Sequence, residues 1–175
     1  MDQGRSFERI TIDDLARLGE IAAADRERFF DGRPEYRERI VCTAMCQGAA
    51  LHYVDLDRGL FEPNGIKDFD VWTFFAEIPG ERFPADRRMT HVDLGPSKFG
   101  QWDGEPERFR RFKGRRVDLL MRSLPGSIDS DPMIALRCYL RAARTSSAKQ
   151  LAGKAAVLID PASRRGEIAW PETFA

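Results

Sequence analysis

Residues 66–78 read IKDFDVWTFFAEI, and the fold turns on how this stretch is read. Phe69, Val71, Trp72, Phe74 and Phe75 are the aromatic and β-branched types that fit a pleated, buried surface, so the pattern predicts a strand over 66–78. Within it Asp68 and Asp70 stand two apart, and the two-residue period of a strand points both carboxylates to one face. They come at the start of the segment, beside a glycine-containing loop, which places them at a sheet rim. Neighbouring half-buried carboxylates repel one another. A bound cation removes that penalty, and hard oxygen donors suit Mg²⁺ or Mn²⁺.

A second strand, over 115–121 (RRVDLLM), carries a third carboxylate. Asp118 interrupts an otherwise apolar run, and a carboxylate embedded there is costly without a partner. If this strand lies beside the first, Asp68, Asp70 and Asp118 converge. A bare D-x-D pair occurs on many surface strands without any ligand; the apolar flanks and the third aspartate separate this case from that one. The segment 90–95 (THVDLG) alternates as a half-exposed strand and offers a rival, Asp93 with His91 on the same face, where the imidazole could act as a base. Asp118 is preferred because its strand is the more apolar.

Working outward, residues 11–30 predict a helix, with Thr11 as cap, Asp13 and Asp14 in the first turn, and Leu15, Leu18, Ile21 and Ala22 at helical spacing. Pro34 opens a short second helix over 34–39. Residues 40–46 are apolar throughout and read equally as a buried strand or a helix end. Gln47-Gly48 interrupts, 49–54 suggests a short helix, and 55–65 is a loop rich in turn formers. Residues 79–86 connect to the 90–95 strand, and 95–109 form another loop. The stretch 123–131 leads into a helix capped by Asp131, with Pro132 in its first turn, running to about residue 144. A shorter helical stretch, a strand over 154–160 and a tail that is either an edge strand or loosely ordered complete the chain. The prediction is an α+β (mixed α/β) fold, a mixed sheet flanked by helices, in one domain spanning 1–175.

The 175 residues suffice for one domain with a real core, and 42% hydrophobic content argues against disorder. Lys+Arg and Asp+Glu both number 28, so overall charge gives no argument for a nucleic acid or an anionic membrane as partner. No apolar run can span a bilayer, and the polar N-terminus lacks a signal-peptide stretch. The expectation is a cytoplasmic protein with no membrane partner. Cys42, Cys46 and Cys138 are odd in number. The C-x3-C spacing of the first two, with His52 nearby, is a poor zinc pattern, and they read as small buried hydrophobes.

The order of apolar segment, glycine turn, short helix, D-h-D strand and later h-D-h strand resembles the nucleotidyltransferase superfamily, which includes DNA polymerase β-like enzymes and small bacterial nucleotidyltransferases. The resembling residues are Cys46-Gln47-Gly48-Ala49, Lys67-Asp68-Phe69-Asp70-Val71 and Val117-Asp118-Leu119, across roughly residues 40–122. The resemblance implies a nucleotidyltransferase-like fold and transfer of a nucleotidyl group from an NTP to a hydroxyl on a small molecule, protein or RNA. It implies Gly48 at the phosphate turn, Asp68 and Asp70 as metal ligands, and Asp118 as the third carboxylate that helps activate the acceptor. Ala49 stands where the family usually has Ser, although backbone N–H groups at the helix start can still hold an anion. The 20-residue gap from Gly48 to Asp68 is also longer than usual. These departures support an alternative: a non-catalytic member that binds a nucleotide or a partner protein, as in a toxin–antitoxin pair. A phosphohydrolase using the same carboxylates is a third option.

Other basic residues have two readings each. Arg116 shares the face of Asp118, so it pairs with the acidic cluster or with a phosphate. Lys67 points opposite Asp68 and is expected to be solvated or salt-bridged. Lys98 lies in a glycine-containing loop that does not match a P-loop. Arg137, Arg141 and Arg144 form a stripe that reads as a solvated helix face, with Met133, Leu136 and Leu140 turned inward; the alternative is a nucleic-acid or nucleotide phosphate as its partner.

Overall fold

The structure is a computed structural model that describes residues 4–84, 89–125 and 129–172. Helix α1 (Ile12–Gly32) starts at a capping box: Thr11 accepts from the Asp14 N–H, and the Asp14 carboxylate accepts from the Thr11 N–H. A short 3₁₀ helix, Pro34–Arg39, delivers the chain into β1 (Ile40–Cys46). The ambiguous run over 40–46 is thus a strand. Its neighbours decide that, because β1 pairs on both sides, antiparallel to β2 (Phe69–Ala76) and to β5 (Ala156–Asp160). Helix α2 (Gln47–Asp57) follows β1 directly and is longer at both ends than the expected 49–54.

Strand β3 (Thr90–Asp93) and β4 (Arg116–Leu124) come next, then helices α3 (Pro132–Ala142) and α4 (Ser146–Ala152), β5 and β6 (Ile168–Trp170). The six strands form one mixed sheet in the order β3-β4-β2-β1-β5-β6, with β2 and β4 parallel and the other pairs antiparallel. This is the α+β architecture expected. The tail does supply an edge strand. Strand β2 is shorter than the predicted 66–78: Ile66 forms an isolated bridge with Ser6 instead, so Asp68 precedes the strand. Of the connections expected over 79–86 and 123–131, residues 85, 86 and 126–128 lie outside the described residues, as do residues 173–175 of the tail.

Alternation along the strands builds the two larger apolar clusters, beside a smaller one of Phe30, Tyr36 and Phe75. One face carries Met45, Phe69, Val71, Val117, Leu119 and Val157 against Leu15, Leu18 and Ile21 of α1 and Ala49, Ala50 and Val54 of α2. The other carries Cys42, Ala44, Cys46, Trp72, Phe74, Leu120 and Leu158 against Leu136, Tyr139 and Leu140 of α3 and Leu151 of α4. Each fully buried large side chain contributes roughly 1.5–3 kcal/mol. Arg26 of α1 enters the first core and is satisfied there by Thr43 Oγ1 at 3.1 Å and Thr73 Oγ1 at 3.2 Å. Among the described residues no helix is long and apolar enough to cross a membrane.

Candidate metal centre

Strand pairing assembles the site. The parallel register of β2 with β4 sets Asp70 opposite Asp118, and the antiparallel register of β3 with β4 sets His91 opposite Asp118. Asp70 and Asp118 share the face that carries Trp72 and Leu120. Asp68, just ahead of β2, joins them at the sheet end where β2, β4 and β5 begin and β1 hands over to α2. One carboxylate oxygen from each of Asp68, Asp70 and Asp118 lies within 4.8 Å of the others. The three aspartates named from the sequence are therefore brought together.

Arg116 lies among them. Its Nε donates to Asp118 Oδ1 at 2.8 Å, its Nη2 to Asp68 Oδ2 at 2.9 Å, and its Nη1 to Glu105 Oε1 at 3.0 Å and Oε2 at 2.9 Å. The guanidinium also stacks over Phe109 at 4.8 Å from the ring centroid. Of the two readings for Arg116, the structure realises pairing with the acidic cluster. His91 Nδ1 lies 2.6 Å from Asp118 Oδ1, and the imidazole packs on the same Phe109 ring at 4.7 Å.

Glu105 and Lys154 are members that sequence reasoning missed. Glu105 sits in the irregular stretch between β3 and β4, where no periodicity marks it. Lys154 precedes β5, and its charge reaches Asp68 and Asp70.

The charges are unevenly compensated. Burial, then the Asp68 and Asp118 charges, push the Asp70 carboxyl up to about 7. Among the described residues, no hydrogen bond or ion pair reaches its side chain. Burial and the Asp118 charge raise Asp68, and burial raises Glu105 despite its contact with Arg116. Burial works against the Arg116 charge, but Asp118, Asp68 and Glu105 outweigh it and hold the guanidinium above its ordinary value. Three converging carboxylates, one of them unpartnered and destabilised as an anion, are the donor set that a hard divalent cation fits.

The rival aspartate has another task. Asp93 Oδ1 accepts N–H groups from Gly95 at 2.8 Å and Gly114 at 3.0 Å, and Oδ2 accepts from Lys113 at 2.8 Å. Burial alone would raise its carboxyl, but these bonds hold it below the ordinary value. It fastens the two ends of the long loop together. Gly114 is required there because a Cβ would collide with the Gly95 carbonyl. Buried Arg115 anchors the same loop and the approach to β2. Its Nε donates to Phe99 O at 2.9 Å and its Nη1 to Ile66 O at 3.0 Å.

The turn before α2 differs from the expected one. The left-handed residue is Gln47, at φ 62, while Gly48 already lies in the helix and packs against Asn64, whose Nδ2 donates to Gly48 O at 3.0 Å. The Ala49 side chain is buried in the core under α1, so a hydroxyl at this position would enter the core and not the rim. The N–H groups of Gly48 and Ala49 belong to the first turn, which has no side-chain cap. Gln47 is itself buried, with Oε1 unpaired among the described residues. A non-glycine residue in this conformation costs about 1–2 kcal/mol, and such strain gathers at functional sites. Gln47→Gly is expected to raise stability by about 1 kcal/mol, read as a melting temperature higher by about 2–4 °C. An unchanged or lower melting temperature would count against strain at this turn.

The remaining candidates lie elsewhere. Lys98 pairs with Asp14 at 2.9 Å, and Lys67 is solvent-exposed, as expected, with its ammonium over the Trp102 ring at 4.4 Å. The arginine stripe on α3 is not simply solvated: Arg137 donates to Ala169 O and Ile168 O, both at 3.0 Å, and Arg141 pairs with Glu172. Met133, Leu136 and Leu140 do turn inward. Cys42 and Cys46 are buried on the sheet face opposite His52, and burial pushes the Cys42 thiol up to about 12. His52 bonds Glu8 O and the Gly65 N–H, both at 2.9 Å, so both ring nitrogens are used. A cavity of about 580 Å³ lies at the other end of β2 and β4, beside Met121, Arg122 and Tyr139, and contains none of the three aspartates.

The fold and site together define an α+β protein with three clustered aspartates at one sheet end. Compared with known proteins, the chain matches no family model, no curated protein and no solved structure.

Proposed function

We propose that this chain is a metal-dependent nucleotidyltransferase-like protein of the cytoplasm, moving a nucleotidyl group from an NTP to a hydroxyl acceptor on a small molecule, protein or RNA. The observation that carries the reading is the convergence of Asp68, Asp70 and Asp118 within 4.8 Å, at the sheet end that also holds the uncapped N-terminus of α2. Asp68, Asp70 and Asp118 would hold Mg²⁺ or Mn²⁺. When bound, the ion supplies charge neutralisation for the phosphates and acidifies the attacking hydroxyl.

The protein's own groups have separable tasks. The N–H groups of Gly48 and Ala49 offer an anion-binding helix start for the phosphates. Arg116 adds a fixed fork of donors suited to phosphate oxygens. Asp118 takes the proton of the acceptor hydroxyl, whose oxygen bonds to the α-phosphorus as the bond to the bridging oxygen breaks and pyrophosphate leaves. His91, in contact with Asp118, orients that carboxylate.

The test is incubation with each labelled NTP, Mg²⁺ or Mn²⁺, and a panel of small-molecule, protein and RNA acceptors. Label on an acceptor with stoichiometric pyrophosphate is the expected result. Phosphate or pyrophosphate released with no acceptor labelled would replace this reading by hydrolysis. Neither transfer nor metal-dependent NTP binding across the panel would overturn it.

A further inference from the structure

The cluster already contains a cation, and it is part of the chain. Arg116 spends Nε on Asp118 and Nη2 on Asp68, two of the three carboxylates that converge. Its side chain is only 11% exposed, and those of Asp118 and Glu105 are 5% and 9% exposed. Little water screens the group, so a divalent cation among these oxygens meets a guanidinium at contact distance. Ion and arginine compete for the same carboxylates. Two features favour a change of partners over simple exclusion. Among the described residues no hydrogen bond or ion pair reaches the Asp70 side chain, so the cluster keeps one arm for an incoming cation. Glu105 grips Nη1 with both oxygens, and Phe109 supports the guanidinium plane. Both belong to the loop side of the site and are not among the three convergent aspartates, so they form a pivot on which Arg116 can stay while releasing Asp68 and Asp118.

We infer that Arg116 is a resident counter-cation that keeps the three-aspartate site closed to a divalent ion alone, and opens it when an anionic triphosphate takes over the guanidinium. This rests on the proposed nucleotidyl transfer and adds its regulation: metal and nucleotide load together. Asp68 and Asp118 are held in place without metal, and the ion is admitted with the ligand whose charge it must neutralise. By linkage, the triphosphate then tightens metal binding by the same factor as metal tightens triphosphate binding.

The experiment titrates Mn²⁺ alone, followed by the electron paramagnetic resonance of the free ion, into the wild type, Arg116→Met and Asp70→Asn. Arg116→Met is expected to bind Mn²⁺ on the order of tenfold tighter than wild type, and a non-hydrolysable NTP is expected to tighten Mn²⁺ binding in the wild type more than in Arg116→Met. Folded Arg116→Met binding Mn²⁺ no tighter than wild type overturns the inference. If Asp70→Asn abolishes that shared binding, the metal reading stands while the counter-cation role falls; Mn²⁺ binding by neither wild type nor Arg116→Met overturns both. A second measurement needs no substitution. The Arg116 Nε–H resonance of the wild type is expected to be protected from exchange in the metal-free protein, and to lose that protection when Mg²⁺ and the non-hydrolysable NTP are added together. A resonance unchanged by that addition overturns the inference even if Arg116→Met does not fold.

Discussion

Asp70→Asn is expected to stabilise the metal-free protein at neutral pH and to reduce the slope of its stability against pH. The Asp70 carboxyl is pushed up to about 7 in the folded chain, from an ordinary value of 3.8. Between those values the folded state holds a proton that the unfolded state has released. The contribution to stability is therefore complete below about pH 4, declines as pH rises, and is gone above about pH 7, where the buried anion stands uncompensated. At about 1.36 kcal/mol per pH unit, the displacement corresponds to an upper limit of about 4 kcal/mol. Asparagine keeps the shape and removes the charge. Asp68 and Glu105 are raised in the same sense, so part of the slope persists in the variant. The measurement is urea unfolding of both proteins at intervals from pH 4 to 8 with a chelator present; identical slopes would sink the idea. Mg²⁺ at about a hundred times its dissociation constant is then expected to add about 2.7 kcal/mol to the wild type and little to the variant, since its third ligand has lost its charge.

The same physics explains why this pair was legible in the sequence. Asp70 and Asp118 are set among Phe69, Val71, Val117 and Leu119, and a charge flanked by residues that must be buried announces an unmet need. The strand assignments over 69–76 and 116–124 follow from the same apolar residues. Residues 40–46 were ambiguous because local periodicity is equally consistent with helix and strand; pairing with Phe69–Ala76 and Ala156–Asp160, distant in sequence, settles them. Glu105 and Lys154 were invisible for a related reason. Each is a charged residue in an irregular segment, where charge is unremarkable, and only the path of the chain brings it to the site. Asp93 shows the converse. On the same strand face as His91 it is the rival to Asp118, ranked second for its less apolar strand, and its oxygens are consumed by three backbone N–H groups of a loop junction. At the turn, Gly48 marks close packing against Asn64, while the left-handed position falls on Gln47, a residue type that propensity would not place there.

Asp118→Asn is expected to lower nucleotidyl transfer by about 10²–10³-fold while leaving the fold in place. Asp118 is 4% exposed and holds two partners, Arg116 at 2.8 Å and His91 at 2.6 Å. The asparagine carbonyl can still accept from Arg116 Nε, and Arg116 keeps Asp68 and Glu105 as anionic partners, so the guanidinium is not abandoned in the interior. What asparagine lacks is negative charge and the capacity to take a proton from an acceptor hydroxyl. The loss should therefore fall mainly on kcat, with a smaller effect on binding of the NTP through α2 and Arg116. His91→Asn separates orientation from chemistry: with the Asp118 carboxylate retained, a reduction of roughly 10–100-fold is expected, smaller than that of Asp118→Asn. Steady-state kinetics of the three proteins, with circular dichroism to verify folding, gives the comparison. If Asp118→Asn keeps wild-type transfer, Asp118 has no part in deprotonation. If instead the wild type binds NTP with metal but labels no acceptor, and Asp118→Asn keeps the biological activity, the chain is a nucleotide- or partner-binding protein, and its carboxylates serve to hold a ligand in place.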